Sequence, residues 1–248
     1  MQLTHERTYR VATHTVGVNG FVRLSALLGF LEDAAGEHAA TWQLAYHDLW
    51  PRGLMWVLTR YHLRLLQAPR YADEVRVVTW PSARHGRSAF RDFEVTGAGG
   101  DLVAIATTAW AVLDVKTRRP RHLDDVVPRE FVLERRALPD PFDPLPPLTG
   151  SAGQVLLPVM QRDLDLNRHV NHAVYLDWAL EPAPPELLRA GLPRDIEIAY
   201  LAEALPGDRV VSALAPLPEA DGRRSYGHRI AHADSGRELA RLRTTWPA

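Results

Sequence analysis

The chain of 248 residues contains no cysteine. Disulfides, thiolate metal sites and a cysteine nucleophile are excluded on that ground. Lysine is almost as scarce. Lys116 stands alone and nearly all positive charge is arginine, which argues against a lysine Schiff base. Net charge is close to nil, at −1, so no bulk electrostatic case exists for nucleic acid or a membrane surface as partner. No apolar run approaches the ~20 residues of a membrane span. The opening residues Met1-Gln2-Leu3-Thr4-His5-Glu6-Arg7 hold no apolar signal core, and a cytoplasmic protein is expected. What remains is the profile of a globular protein: 46% hydrophobic and 24% charged residues, with length enough for one large or two ordinary domains.

Residues 137–150 hold five prolines. Proline fixes φ and removes a backbone donor, so neither a helix nor a central strand is expected there. This segment reads as a linker between an N-terminal domain, 1–136, and a C-terminal domain, 151–248. The two halves read alike. In the first, Arg7–Val11 looks like a strand, and Leu24, Leu27, Leu28 and Leu31 mark one face of a helix reaching to about Ala45. Strands are expected over Met55–Leu66, Glu74–Pro81, Ser88–Thr96 and Leu102–Val115, with a glycine-rich hairpin turn at Gly97–Gly100. In the second, Gly153–Arg162 reads as a strand and Val170–Glu181 as a helix. Strands follow at Asp195–Leu201, Arg209–Ala215, Ser225–Ala233 and Glu238–Thr245. Strand, helix, then a run of antiparallel strands, done twice, gives an α+β protein: a tandem, or double, hot-dog fold in which each half is a long helix wrapped by an antiparallel sheet.

The densest chemistry lies in Asp163-Leu164-Asp165-Leu166-Asn167-Arg168-His169-Val170-Asn171-His172. Asp165, Asn167 and His169 are spaced by two and would share a face of an extended segment. The helix expected just after them would add free backbone N–H groups and the positive end of its dipole, which suit a developing oxyanion. Such a set could hydrolyse an acyl group. Placing Asn19 on Asn167 overlays the halves, with Gly17 on Asp165 and Phe21 on His169. The first half then keeps the scaffold without the acid or the imidazole, and each chain has one active site.

This segment, with Tyr175, Trp178 and Glu181 after it, closely resembles the catalytic segment of the acyl-ACP thioesterases. Trp56-Val57, Pro69–Val75, Thr79-Trp80, Gly86, Arg91-Asp92-Phe93, Ala106–Trp110, Asp114 and Thr117-Arg118-Arg119 resemble the family's first domain. Ile198–Glu203 resembles the strand carrying its acidic catalytic residue. The resemblance implies catalytic roles for Asp165, Asn167, His169 and Glu203, and an acyl-binding first domain without the catalytic motif. It also implies a carrier-protein substrate, free fatty acid and holo-ACP as products, and a place in fatty acid biosynthesis. Three departures stand out. Ala204 occupies a position where many members have cysteine, the doubled asparagine becomes Asn171-His172, and no plastid transit peptide is present, which fits a bacterial member.

Without cysteine, carboxylates and histidine must handle the protons. Asp165 either attacks or activates the attacking water. Asn167 supports the oxyanion, His169 orients or protonates, and Glu203 holds the imidazole or the water. No cofactor and no metal are expected, since His169 and His172 lack a third nearby ligand. For an acidic carrier protein, Arg84 and Arg87 in one loop and Arg118, Arg119 and Arg121 in another are the candidate docking residues. A homodimer is compatible with the sequence. The alternatives are an acyl-CoA thioesterase of the same fold, a hot-dog dehydratase, and a non-catalytic acyl-binding module.

Overall fold

The computed structural model describes residues 2–218 and 222–247. The chain divides into two units. One holds the residues up to Val22 together with Ala26–Pro141, and the other holds Arg23–Ser25 and the residues from Phe142 onward.

The first unit contains β1 (His5–Arg10), α1 (Leu24–Ala40) from Ala26 onward, α2 (Tyr46–Leu49), β2 (Leu54–Leu65), β3 (Glu74–His85), β4 (Ser88–Gly97) and β5 (Leu102–Asp114). Its strands lie in the order β1-β3-β4-β5-β2, every neighbour antiparallel. The second contains β6 (Gly153–Pro158), α3 (His172–Leu180), α4 (Pro185–Ala190), β7 (Asp195–Tyr200), β8 (Arg209–Pro216), β9 (Arg224–His232) and β10 (Glu238–Trp246). Its order is β6-β8-β9-β10-β7, again antiparallel throughout. Strand for strand the two sheets have one topology, the α+β tandem hot-dog fold.

Periodicity explains which faces are buried. In β3, Val75, Val77 and Thr79 point inward; in β10, Ala240, Leu242, Thr244 and Trp246 do. Along α1 the stripe Leu24, Leu27, Leu28, Leu31, Ala34, Ala35 and His38 is buried. From β1, the Tyr9 ring stacks on Phe30 of α1 at 4.7 Å and its hydroxyl donates to Asp33 at 3.1 Å. Arg91 of β4 donates to His38 Nδ1 at 3.2 Å. Burial, reinforced by Arg91, pushes the His38 pKa down to about 4.

Several boundaries differ from the sequence expectation. α1 stops at Ala40, short of Ala45, because Gln43 adopts a left-handed φ of 57° and the Leu44 N–H turns back to the Ala39 carbonyl at 3.0 Å. α2 and a 3₁₀ turn at Trp50–Arg52 follow. β3 runs past Pro81 to His85. A bulge between Pro81 and Ala83 accommodates the missing donor, and the Pro81 carbonyl accepts the Leu133 N–H at 2.8 Å. The glycine turn forms as expected: Gly100, at φ 83°, donates to the Gly97 carbonyl at 2.9 Å. β6 ends at Pro158 rather than Arg162, and Gln161–Asp163 form a 3₁₀ turn. α4 was not expected, although proline in its first turn is a helix-start signal.

The proline-rich residues 137–150 hold neither helix nor strand, yet they are anchored. Asp92, fully buried in the first sheet, accepts the Ser82 and Thr107 hydroxyls at 2.7 Å each, the Ala137 N–H at 2.6 Å and Arg136 Nε at 3.2 Å. Further on, Arg241 donates to the Leu145 carbonyl at 2.5 Å, and Leu138 and Leu145 are buried. In the second unit α3 buries Ala173, Tyr175, Leu176, Trp178 and Ala179. The buried His228 of β9 donates through Nδ1 to the Ala179 carbonyl at 2.8 Å, and its Nε2 meets the Thr244 hydroxyl at 2.8 Å. Burial lowers its pKa to about 4, so the ring is neutral at pH 7. Among the described residues, no helix is long and apolar enough to cross a membrane.

Candidate active site

The residues between β6 and α3 form a tight turn, not the extended segment that spacing alone suggests. Leu164 bridges Val170, the Asp165 N–H donates to the His169 carbonyl at 2.8 Å, and the Arg168 N–H donates to the Asp165 carbonyl at 3.0 Å. Arg168 pays for the reversal with a left-handed φ of 63°. The turn is fixed at its base by Asp163. Its carboxylate accepts the Met160 N–H at 2.8 Å and its carbonyl accepts the Asn171 N–H at 2.8 Å.

Inside the turn the Asp165 carboxylate gathers three donors. Oδ1 accepts the N–H groups of Asn167 at 2.8 Å and His169 at 3.3 Å; Oδ2 accepts Asn167 Nδ2 at 3.3 Å. A carboxylate has about four acceptor positions, so among the described residues one on Oδ2 is left open. Among the described residues, the buried Asn167 Oδ1 has no hydrogen-bond partner. His169 Nε2 lies 3.6 Å from Glu203 Oε2. The turn thus brings the acid, the amide and the imidazole together by hydrogen bonding within the loop, and the last of them faces the glutamate.

Glu203 sits three residues past the end of β7 rather than on the strand. The Leu201 and Ala202 N–H groups both donate to the Leu239 carbonyl, at 2.9 and 3.1 Å, and so guide the chain off the sheet. The Val170 N–H, next to His169, donates to the Ala204 carbonyl at 3.2 Å. The Ala204 side chain is fully buried.

His172 opens α3, in the first turn where it was expected. Two of the amides opening the helix are engaged within the chain. Asn171 caps the helix, its side chain accepting the Ala173 N–H at 2.8 Å and its carbonyl the Val174 N–H at 3.0 Å. The Tyr175 hydroxyl accepts the Ala204 N–H at 2.9 Å and lies 3.5 Å from the Ala202 carbonyl. Burial, with Glu203 and Asp165 nearby, pushes its pKa up to about 12. The Asx cap was legible from an asparagine before an apolar run; the Tyr175 contact joins residues 29 apart and was not.

The first unit repeats this backbone. Val16 bridges Val22, Gly17 N–H donates to the Phe21 carbonyl at 2.9 Å, and Gly20 N–H donates to the Gly17 carbonyl at 3.0 Å. Val22 N–H donates to the Pro69 carbonyl at 2.8 Å, as Val170 does to Ala204. Asp73 caps Arg70 N–H at 2.8 Å as Asp208 caps Leu205 N–H at 2.9 Å. Counting back from these pairs, Gly17, Asn19, Phe21 and Ala68 stand where the second unit has Asp165, Asn167, His169 and Glu203. The Phe21 face is covered by the Arg70 guanidinium, 4.3 Å from the ring centre.

The five arginines differ. Arg84 is turned inward, donating to the Val127 carbonyl at 2.8 Å and to Asp124 at 2.6 Å. Arg121 lies 4.0 Å from Asp125, and Arg118 donates to the Met55 sulfur at 3.2 Å. The exposed Arg87 and Arg119 side chains make no hydrogen bond or ion pair among the described residues.

Residues 2–131 match the model of the acyl-ACP thioesterase N-terminal domain, and residues 151–248 match that of the acyl-ACP thioesterase C-terminal domain. A chloroplastic acyl-[acyl-carrier-protein] hydrolase of Cuphea viscosissima is 25% identical over 258 residues, covering 98% of this chain and 63% of the relative. A chloroplastic oleoyl-acyl carrier protein thioesterase of Arabidopsis thaliana is 24% identical over 280 residues, covering 98% of this chain and 76% of the relative. The chain therefore spans less than two thirds of the length of the first of these. In fold it is similar to the 12:0-ACP thioesterase of Umbellularia californica, with a TM-score of 0.88 at 23% identity over 99% of this chain and 94% of that one. It is also similar to an acyl-ACP thioesterase of Bacteroides thetaiotaomicron, with a TM-score of 0.85 at 22% identity over 97% and 96% of the two chains.

Proposed function

This chain belongs to the acyl-ACP thioesterase family, and from that premise we propose that it hydrolyses fatty acyl-ACP to free fatty acid and holo-ACP. The observation that carries this reading is the grouping of Asp165, Asn167, His169 and Glu203 in the second unit, where the first unit repeats the backbone with Gly17, Asn19, Phe21 and Ala68. Among the described residues, only the second unit's copy of this turn has a carboxylate, an imidazole and a partner for that imidazole, which supports one site per chain.

Hydrolysis of a thioester needs water delivered to the carbonyl carbon, support for the oxyanion and a proton for the departing thiolate. The open acceptor position on Asp165 Oδ2 suits one water, which Asp165 orients and relieves of a proton. Direct attack by the same oxygen is the alternative. Asn167 Nδ2 spends one hydrogen on Asp165 and has a second for the oxyanion. His169, beside Glu203, protonates the thiolate. Water supplies the hydroxyl of the acid; the proton that Asp165 takes from it replaces, on His169, the one passed to the sulfur. These roles use no cofactor or metal ion.

We assign the acyl chain to the first unit and the carrier protein to a surface containing Arg87 and Arg119, with Arg118 and Arg121 beside them. Arg84 is set aside because its guanidinium is already paired. A bacterial, cytosolic setting and a homodimer belong to the same reading, and cell fractionation and sedimentation test them. The deciding experiment is hydrolysis of matched acyl-ACP and acyl-CoA side by side. A higher kcat/KM on acyl-ACP is expected. Preference for acyl-CoA would make the chain a CoA thioesterase of this fold, and no turnover of either would leave a non-catalytic acyl-binding module.

A further inference from the structure

Glu203 carries no regular secondary structure to hold it: β7 has ended, and β8 begins only at Arg209. A side chain that must face an imidazole to within a few tenths of an ångström needs its backbone fixed by something else. Beyond the Leu239 carbonyl that holds Leu201 and Ala202, two contacts fix Ala204, the residue after Glu203. One is the Val170 N–H on the Ala204 carbonyl, which joins the Glu203 loop to the residue after His169. The other comes from α3. The Tyr175 hydroxyl accepts the Ala204 N–H at 2.9 Å and points its own hydrogen toward the Ala202 carbonyl at 3.5 Å. A single hydroxyl therefore spans the two residues flanking Glu203.

The tyrosine is itself well placed for this. It is buried, its ring centre lies 5.3 Å from that of Trp178 on the same helix, and the Tyr200 ring meets it edge-on at 5.7 Å. Tyr200 in turn donates its hydroxyl to the His172 carbonyl at 3.1 Å, at the start of α3. That start is capped by Asn171, whose N–H goes to the Asp163 carbonyl at the base of the turn holding Asp165. The path from the Asp165 turn to Glu203 thus runs through α3 and leaves it by the Tyr175 hydroxyl.

We propose that Tyr175 is a positioning residue for the hydrolysis described above: its hydroxyl clamps the Ala202–Ala204 backbone and so fixes Glu203 against His169. The proposal rests on that hydrolase reading. Tyr175 is buried and its hydroxyl is engaged by the Ala202 and Ala204 backbone. Its contribution is made through Glu203, so removing the hydroxyl while keeping the ring should loosen the glutamate and little else. A misplacement of about 1 Å in a reacting group can cost on the order of 10²-fold in rate.

The test is a double-mutant cycle on acyl-ACP with Tyr175→Phe and Glu203→Gln, read as kcat and KM separately, alongside amide hydrogen exchange. Tyr175→Phe should lower kcat by about 10- to 100-fold with KM within about twofold. In the Glu203→Gln background the same change should cost less than about threefold, because the group it positions is already disabled. Exchange at the Ala204 amide should accelerate in Tyr175→Phe while the amides of α3 keep their protection. A merely structural tyrosine would instead lower the melting temperature, expose α3 to exchange and multiply its loss with that of Glu203→Gln. Either that pattern, or an unchanged kcat in Tyr175→Phe, overturns the proposal. Wild-type protein that turns over neither acyl-ACP nor acyl-CoA overturns the hydrolase reading instead. The exchange experiment then still decides whether the hydroxyl holds the loop.

Discussion

Phe21 and His169 occupy the same position of the same hydrogen-bonded turn, one in each unit. Each gives its carbonyl to the N–H four residues earlier, Gly17 at 2.9 Å and Asp165 at 2.8 Å. The backbone is one design used twice, and the side chains alone separate a turn that can do acid–base chemistry from one that cannot.

Asp165→Asn keeps the acceptor of the turn but removes the charge and the basic oxygen. Turnover should fall by roughly 10²–10⁴-fold, the range for a positioned acid or base, with circular dichroism unchanged. Near-wild-type kcat in a folded variant would remove Asp165 from the chemistry.

His169→Ala and Glu203→Ala should each reduce kcat over that same rough range. Because the imidazole and carboxylate are 3.6 Å apart and are read as one unit, the double variant should lose little more than the worse single one. Losses that multiply would mean that the two work independently.

A thiol placed by Ala204→Cys would be sealed in the interior, since the Ala204 side chain is fully buried. Reactivity follows exposure and thiolate character. The native variant should therefore react with iodoacetamide more than about tenfold slower than the same variant in denaturant. Equal rates would show that position 204 opens to solvent.

Stability should fall in acid because of His228. Its folded pKa is near 4 against an ordinary 6.5, so between those values the unfolded chain binds more protons and folding is progressively disfavoured as pH drops. The effect for this one residue is about 2 kcal/mol at pH 5; His38, lowered in the same sense, adds to it. Calorimetry from pH 7.5 to 4.5 should show the melting temperature of His228→Gln declining less steeply than that of the wild type. Parallel curves would assign the acid sensitivity elsewhere.

Arg87→Glu and Arg119→Glu should weaken the encounter with an acidic carrier protein. Rim charges act chiefly on association rate, so kcat/KM on acyl-ACP should drop and the defect should shrink as salt rises. A short acyl-pantetheine should be turned over as before. Equal impairment on both substrates would place these arginines in the support of the fold.

Much of this was legible beforehand. The leucine stripe of α1, the glycine hairpin and the overlay of Asn19 on Asn167 follow from spacing, because local geometry decides them. The turn around Asp165 was not legible. Its first-unit counterpart has Gly20 at the left-handed position, a readable signal, whereas the second unit has Arg168 there, held by the surrounding hydrogen bonds against its own preference. The Glu203 loop escaped for another reason: its geometry depends on Tyr175 and Leu239, partners 28 and 36 positions away, and no local pattern encodes them.

The four donors on Asp92 bear on where the first half can be cut. Two of them, Arg136 and the Ala137 N–H, come from the chain after it has left the last strand of its sheet. A fragment ending at residue 135 would leave a carboxylate deep in that sheet with only the Ser82 and Thr107 hydroxyls for company, a costly burial of charge. The residues that look like spare tether in the sequence are the last fasteners of the sheet they depart from.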